Sequence, residues 1–275
     1  PLLGLAAGSI PLTGGHGTSG AFGPYLEDLG ATGATVVAVA SATYGLIAGC
    51  LIGGPIARRL MIKNNLKHTE NKEGVDNSLL GSATEVTEES LFSAVVYVGI
   101  AMGIGALINN MLAKAGIKFP VYLMGMVVAA IIRNILDFNQ KQLPFTEIGI
   151  VGNISLSLFL SMALMSMKLW QLIDLAIPLI IILLVQTVLM AFFAYFITFN
   201  IMGRDYDAAV MSTGHCGFGL GATPNAMANM ETFTRSNGPS VKAFFIIPIV
   251  GSLFIDFINA GVIQAFATWI VNNFM

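Results

Sequence analysis

The stretch Thr213-Gly214-His215-Cys216-Gly217-Phe218-Gly219-Leu220-Gly221 runs straight into Ala222-Thr223-Pro224, and earlier in the chain stands Thr13-Gly14-Gly15-His16-Gly17-Thr18-Ser19-Gly20. Both lie in apolar segments, Leu2 to Leu29 and Asp207 to Met230. Glycine at this density costs about 1 kcal/mol per position in a helix interior, so each segment is expected to be two short helical arms meeting at an irregular tip. Broken backbone survives at membrane depth only where protein buries it or it lines a wet cavity. The two segments are therefore predicted as re-entrant hairpins, the alternative being that the glycines serve only close helix packing.

The rest of the chain supplies the lipid setting that this reading needs. Of 275 residues, 55% are hydrophobic and only 10% charged, with a mean hydropathy of +0.78. A soluble domain carries roughly a quarter charged residues, so this composition points to a membrane. The net charge of -2 leaves no basic face for nucleic acid. Cys50 and Cys216 are far apart, which excludes a disulfide framework or a zinc site.

A bilayer core needs about 20 apolar residues of helix, and six stretches qualify: 34–57, 91–113, 119–136, 148–167, 172–202 and 241–271. Between the first two lies a polar linker, 58–90. The chain is thus expected to be an all-α integral membrane protein with about six spanning helices. Its first part, 1–57, holds a hairpin (1–29) and one span, and 91–275 holds four spans, a hairpin (207–230) and a last span.

Each Gly-rich tip precedes one long span, which reads as an internal repeat. Five crossings separate the tips, an odd number, so the second hairpin enters from the side opposite the first. Inverted repeats with broken helices are the architecture of secondary transporters, and paired Gly-interrupted segments mark the transport site. Four spans precede the second hairpin and none the first, so the chain is expected to be the C-terminal part of a longer protein. With the linker inside, Arg58, Arg59, Lys63, Lys67, Lys72, Lys141, Arg204, Arg235 and Lys242 face the cytoplasm and only Lys114, Lys118 and Lys168 the exterior.

Gly14-Gly15-His16-Gly17-Thr18, the run Asn153 to Leu160 (Asn-Ile-Ser-Leu-Ser-Leu-Phe-Leu) and the run Gly214 to Pro224 together resemble the bacterial sodium/glutamate symporter family, as do Tyr206-Asp207-Ala208-Ala209 and Asp256 to Ala260. The resemblance implies sodium-coupled uptake of L-glutamate across the inner membrane by alternating access, two inverted five-span halves, one hairpin per half and a homodimer. Sodium is then the coupling ion, and no organic cofactor is expected.

For a substrate bearing carboxylates, glycine tips give access to backbone N–H groups. The candidate substrate residues are Gly14, Gly15, His16, Gly17, Thr18 and Ser19 in the first hairpin, with Gly214, His215, Cys216, Gly217 and Thr223 in the second. Thr223-Pro224 reads as N-cap and N1 of the return arm. The two histidines are equally readable as plugs for broken helix ends. Sodium wants oxygen ligands, for which Thr13, Thr213, Asn225, Asn229, Asn259 and Asp256 are candidates. Asp256 is the only acidic residue in the interior of any expected span, Asp174 standing at the very start of its own, and intramembrane carboxylates are costly enough to suggest function.

The same residues bear on two rival classes. Tyr206-Asp207 resembles half of an intramembrane aspartyl protease site, but the second half, a Gly-x-Gly-Asp, is lacking because Ala222 follows Gly221. An ion channel is the other, without a filter motif to support it.

Overall fold

The computed structural model describes residues 2–66, 86–114, 121–166 and 175–274, and no strand occurs among them. In chain order the helices are α1 (Leu2–Ala6), α2 (Ser9–Asp28), α3 (Ala34–Lys63), α4 (Glu88–Lys114), α5 (Val121–Phe138), α6 (Phe145–Ser166), α7 (Ala176–Phe192), α8 (Tyr206–Leu220), α9 (Thr223–Asn237), α10 (Val241–Ile249) and α11 (Ile255–Phe274). A π-helical turn, Phe193–Thr198, carries α7 on into Phe199–Ile201, and another, Val250–Phe254, joins α10 to α11. Three of these helices are long and apolar enough to cross a membrane: Ala34–Lys63, Glu88–Lys114 and Ala176–Ile201.

The chain divides into two units, 1–74 with 167–275 and 75–166. In the second, Thr87 and Ser90 cap the start of α4 reciprocally, each hydroxyl accepting the other's backbone N–H. Ser90 Oγ also donates to Glu147 Oε1 at 2.7 Å, tying α4 to the first turn of α6. Gly105 lets α4 lie directly on α5 at Gly125.

The first unit is built on α3. Gly30 and Gly33, both at positive φ (96° and 80°), reverse the chain after α2 so that α2 lies along it. On another face α3 meets α8, and α8, α9 and α10 close a core of Val210, Met211, Phe218, Ala226, Met230, Phe233 and Ile247 with Ala57 of α3. Tight contact between α3 and α8 is a matter of glycine. A Cβ on Gly45 would overlap the Leu220 carbonyl oxygen, and one on Gly49 would lie 2.7 Å from that of Cys216.

Three expectations need correction. The second Gly-rich run is unbroken helix from Tyr206 to Leu220, and the chain breaks only at Gly221 and Ala222. Its glycines serve packing instead: Gly214 faces Met230 and Ile247, and Gly217 faces Ala226. The linker begins later than position 58, because α3 continues to Lys63. Thr223 is not the N-cap of α9, since Ala222 holds that place in extended conformation. The start of the span expected at Phe119, the end of the one at Met167 and the start of the one at Leu172 lie outside the described residues.

Candidate functional site

At Gly15 the helix α2 breaks, with φ 64° and ψ -156°, and resumes at once. The break abuts the one at the end of α8. A Cβ built on Gly15 would lie 3.1 Å from the Gly221 carbonyl oxygen and 3.5 Å from Ala222 Cβ. Two half-helices therefore begin at one junction, the second part of α2 and α9, and each brings its unpaired N–H groups and positive dipole end there. No side chain caps α9. Such a junction suits an anion, each helix end being worth about 0.3–1 kcal/mol and up to ~2 where partly buried.

Residues of the first run gather round this junction. Ser19 Oγ donates to the Gly15 carbonyl at 2.7 Å and lies 3.3 Å from that of Ala38, so it ties the first turn after the break to α3. His16 Nε2 is 3.0 Å from Thr43 Oγ1. Thr18 packs where a side chain on Gly14 would sit, and Gly17 has open space in front of it. Thr13 precedes the break by two residues. Across the junction Thr223 turns towards the second π turn, with its Oγ1 3.0 Å from where a Cβ on Gly251 would be.

The other candidates stand apart from the junction. Gly214, His215, Cys216 and Gly217 lie on α8, one to two turns before Gly221. His215 Nδ1 meets Thr198 Oγ1 of the first π turn at 2.7 Å, with its ring stacked on Phe218 and edge-on to Phe193. Cys216 is fully buried. Among the sodium candidates, Asn225 sits at Gly221 and donates to the Leu46 carbonyl at 2.9 Å. Thr213 lies further down α8 beside Asn229, and its hydroxyl is buried without a hydrogen-bond partner. Asn259 donates to the Ser9 carbonyl at 3.2 Å. The side chain of Asp256 lies outside the described residues, as do those of Ser252, Leu253 and Phe257.

Gln186 and the glycines of α3 escaped the sequence reading, whereas Asn229 and Asn259, named there as sodium candidates, serve here as hydrogen-bond donors. Gln186 donates to the Ala7 carbonyl at 3.1 Å, and with Asn259 on Ser9 it brackets a further break, between α1 and α2. Asn229 Nδ2 donates to the carbonyls of Gly49 (3.0 Å) and Thr213 (3.2 Å), binding α9 to both neighbours. The stripe Gly45, Gly49, Gly53 has a plain signal, glycine at every fourth residue, which keeps one helix face bare. Gln186 has only its polarity in an apolar helix to mark it.

The family model for sodium/glutamate symporters matches residues 1–239. The chain belongs to that family. A sodium/glutamate symporter of Escherichia coli is 44% identical over 276 aligned positions, covering 97% of this chain and 68% of the relative, as is one of Shigella flexneri. The sodium/glutamate symporter of Haemophilus influenzae is 42% identical over 273, covering 96% and 67%. No solved structure matches the chain. These symporters are named as transporters and not as enzymes. In this family member the protease-like Asp207 accepts the Ser240 hydroxyl at 2.6 Å in the first turn of α8, a structural contact.

Proposed function

We propose that this protein is a sodium-coupled L-glutamate symporter of the bacterial inner membrane, acting by alternating access at the junction of Gly15 and Gly221. The observation that carries this reading is the abutment of the two helix breaks, since broken helices meeting in a protein interior supply N–H groups for an anion and free carbonyls for a cation. In the reading, two re-entrant hairpins related by an inverted repeat enter from opposite sides, and the chain supplies six spans. Glutamate carboxylates bind at Gly14 to Ser19 and at Ala222 and Thr223, while His215 supports α8 through Thr198. Sodium draws on Asn225, Thr213, Thr13 and the last span, with Asp256 and Asn259. The linker after α3 is cytoplasmic, and two copies assemble as a homodimer.

Radiolabelled L-glutamate uptake into membrane vesicles tests this directly. An inward sodium gradient is expected to drive saturable accumulation that disappears when the gradient is collapsed. Accumulation that ignores sodium, or conductance without accumulation, would discard the symport reading, the second outcome favouring a channel. Asp256→Asn is expected to weaken the sodium dependence, and an unchanged sodium dependence would remove Asp256 from the ion path.

A further inference from the structure

Away from the junction, α3 and α9 enclose a cavity of about 1380 Å³ lined by Cys50, Gly54, Arg58 and Arg59 on one wall and by Thr232 and Ser236, among others, on the facing one. Fitted ligand pockets have roughly 300–1,000 Å³, so this space is a mouth and not a tailored pocket. Its two walls differ in chemistry. On α3, Cys50, Gly54, Arg58 and Ile62 form one stripe at helical spacing that carries one cation, with Arg59 and Lys63 beside it. On α9 the stripe 229, 232, 236 supplies an amide and two hydroxyls. Among the described residues, none that lines the cavity is acidic, and no carboxylate forms an ion pair with Arg58, Arg59 or Lys63. Lys63 lies 5.5 Å from the centre of the Tyr195 ring, which leaves the two arginines as the free positive charge.

The inner end of the cavity reaches the polar interior. Asn229, which lines it, is the residue that holds the Gly49 and Thr213 carbonyls, and beside it is the buried, unpartnered Thr213 hydroxyl. From Asn229 to the start of α9 at the junction is six residues, or about 9 Å of helix at 1.5 Å each. A preference of basic residues for one membrane face accounts for cations at the end of α3. It does not account for a cavity whose described lining carries only positive charge and whose inner end adjoins a buried polar pair.

We propose that this cavity is the vestibule through which carboxylate anions reach and leave the junction on one side of the membrane, and that Arg58 and Arg59 select it for anions. The idea rests on the transport reading above and adds to it the charge selection and the route. A cleft of one sign between low-dielectric walls concentrates counter-ions about 10- to 1,000-fold, an effect that weakens as salt rises.

Cys50 in the wall is a built-in reporter. In inside-out vesicles with Cys216 replaced by Ser, an anionic thiosulfonate is expected to modify Cys50 at least about tenfold faster, relative to its rate on a free thiol, than a cationic one of like size. The ratio should fall towards one in R58Q/R59Q, be retained in R58K/R59K, and shrink as salt is raised. L-glutamate should slow the anionic reagent, and L-glutamine should do so far less. Equal relative rates for both reagents, or a ratio unmoved by R58Q/R59Q, would overturn the proposal. So would an anionic preference that appears only in vesicles of neutral lipid, because the cations would then serve anionic headgroups. Labelling rates need no sodium gradient, so these outcomes are independent of whether sodium-driven uptake itself is found.

Discussion

Gly15 has the least freedom of any residue at the junction, because φ 64° with ψ -156° is a backbone conformation that strains an L side chain by about 1–3 kcal/mol. Gly15→Ala is therefore expected to lower thermal stability in detergent by that order and to cut sodium-driven uptake roughly tenfold, the equivalent of about 1.4 kcal/mol. Gly99→Ala and Gly103→Ala, whose new methyl groups meet nothing within 4 Å, should leave both unchanged. Equal losses at all three would show that strain at Gly15 is not the cause. Gly217 has a different constraint. A Cβ there would lie 2.5 Å from Ala226 Cα, so Gly217→Val is expected to force α8 from α9 at a cost of about 1–3 kcal/mol, seen as a lower unfolding temperature. Both glycines stood in the sequence as tip residues, but only Gly15 is one. Propensity marks where a helix is weak, and it does not say whether packing will rescue it, as Met230, Ile247 and Ala226 do for the glycines of α8.

Within the first unit, α3 is the helix on which α8 and α9 are laid, through Gly45, Gly49 and Gly53. At Gly53 a Cβ would come within 2.6 Å of Asn229 Nδ2 and 2.7 Å of Thr213 Oγ1, whereas Gly54 beside it faces open space. Gly53→Leu is expected to destabilise the protein by about 1–3 kcal/mol and to break the Asn229 hydrogen bonds, while Gly54→Leu leaves stability equal or raised by up to ~1 kcal/mol. Thermal unfolding of the pair decides the matter, and similar midpoints would deny the stripe its packing role. The helices themselves were legible because long apolar runs leave little choice: α3 and α4 begin within a few residues of where apolarity starts. The π turns were not legible from apolarity, which is blind to one added residue per turn. Pro248, just ahead of Val250–Phe254, was the available hint, since proline removes a helical hydrogen bond where the ladder then changes.

For the molecule as a whole, the decisive test concerns sidedness. Ser19 and Cys216 are both fully buried and poor reporters, but Gly17 and Pro224 are exposed on the two half-helices that begin at the junction. With Cys50 and Cys216 replaced, a membrane-impermeant thiol reagent is expected to reach Gly17→Cys from outside intact cells and Pro224→Cys from inside-out vesicles. Modification of both from one side would overturn the inverted arrangement. The second π turn bears on how the last span tolerates changes in its length. A π turn fits one spare residue into a single turn, so the residues beyond it keep their bearing on the core. Ala260, Ile263, Ala267 and Ile270, all buried, make up that inward stripe on α11. Losing one residue from Val250–Phe254 thus turns π into α and leaves the stripe facing inward, whereas losing Gly261 swings everything after it by about 100° at 3.6 residues per turn. Along this span, a deletion is mild or ruinous according to whether it falls on the spare.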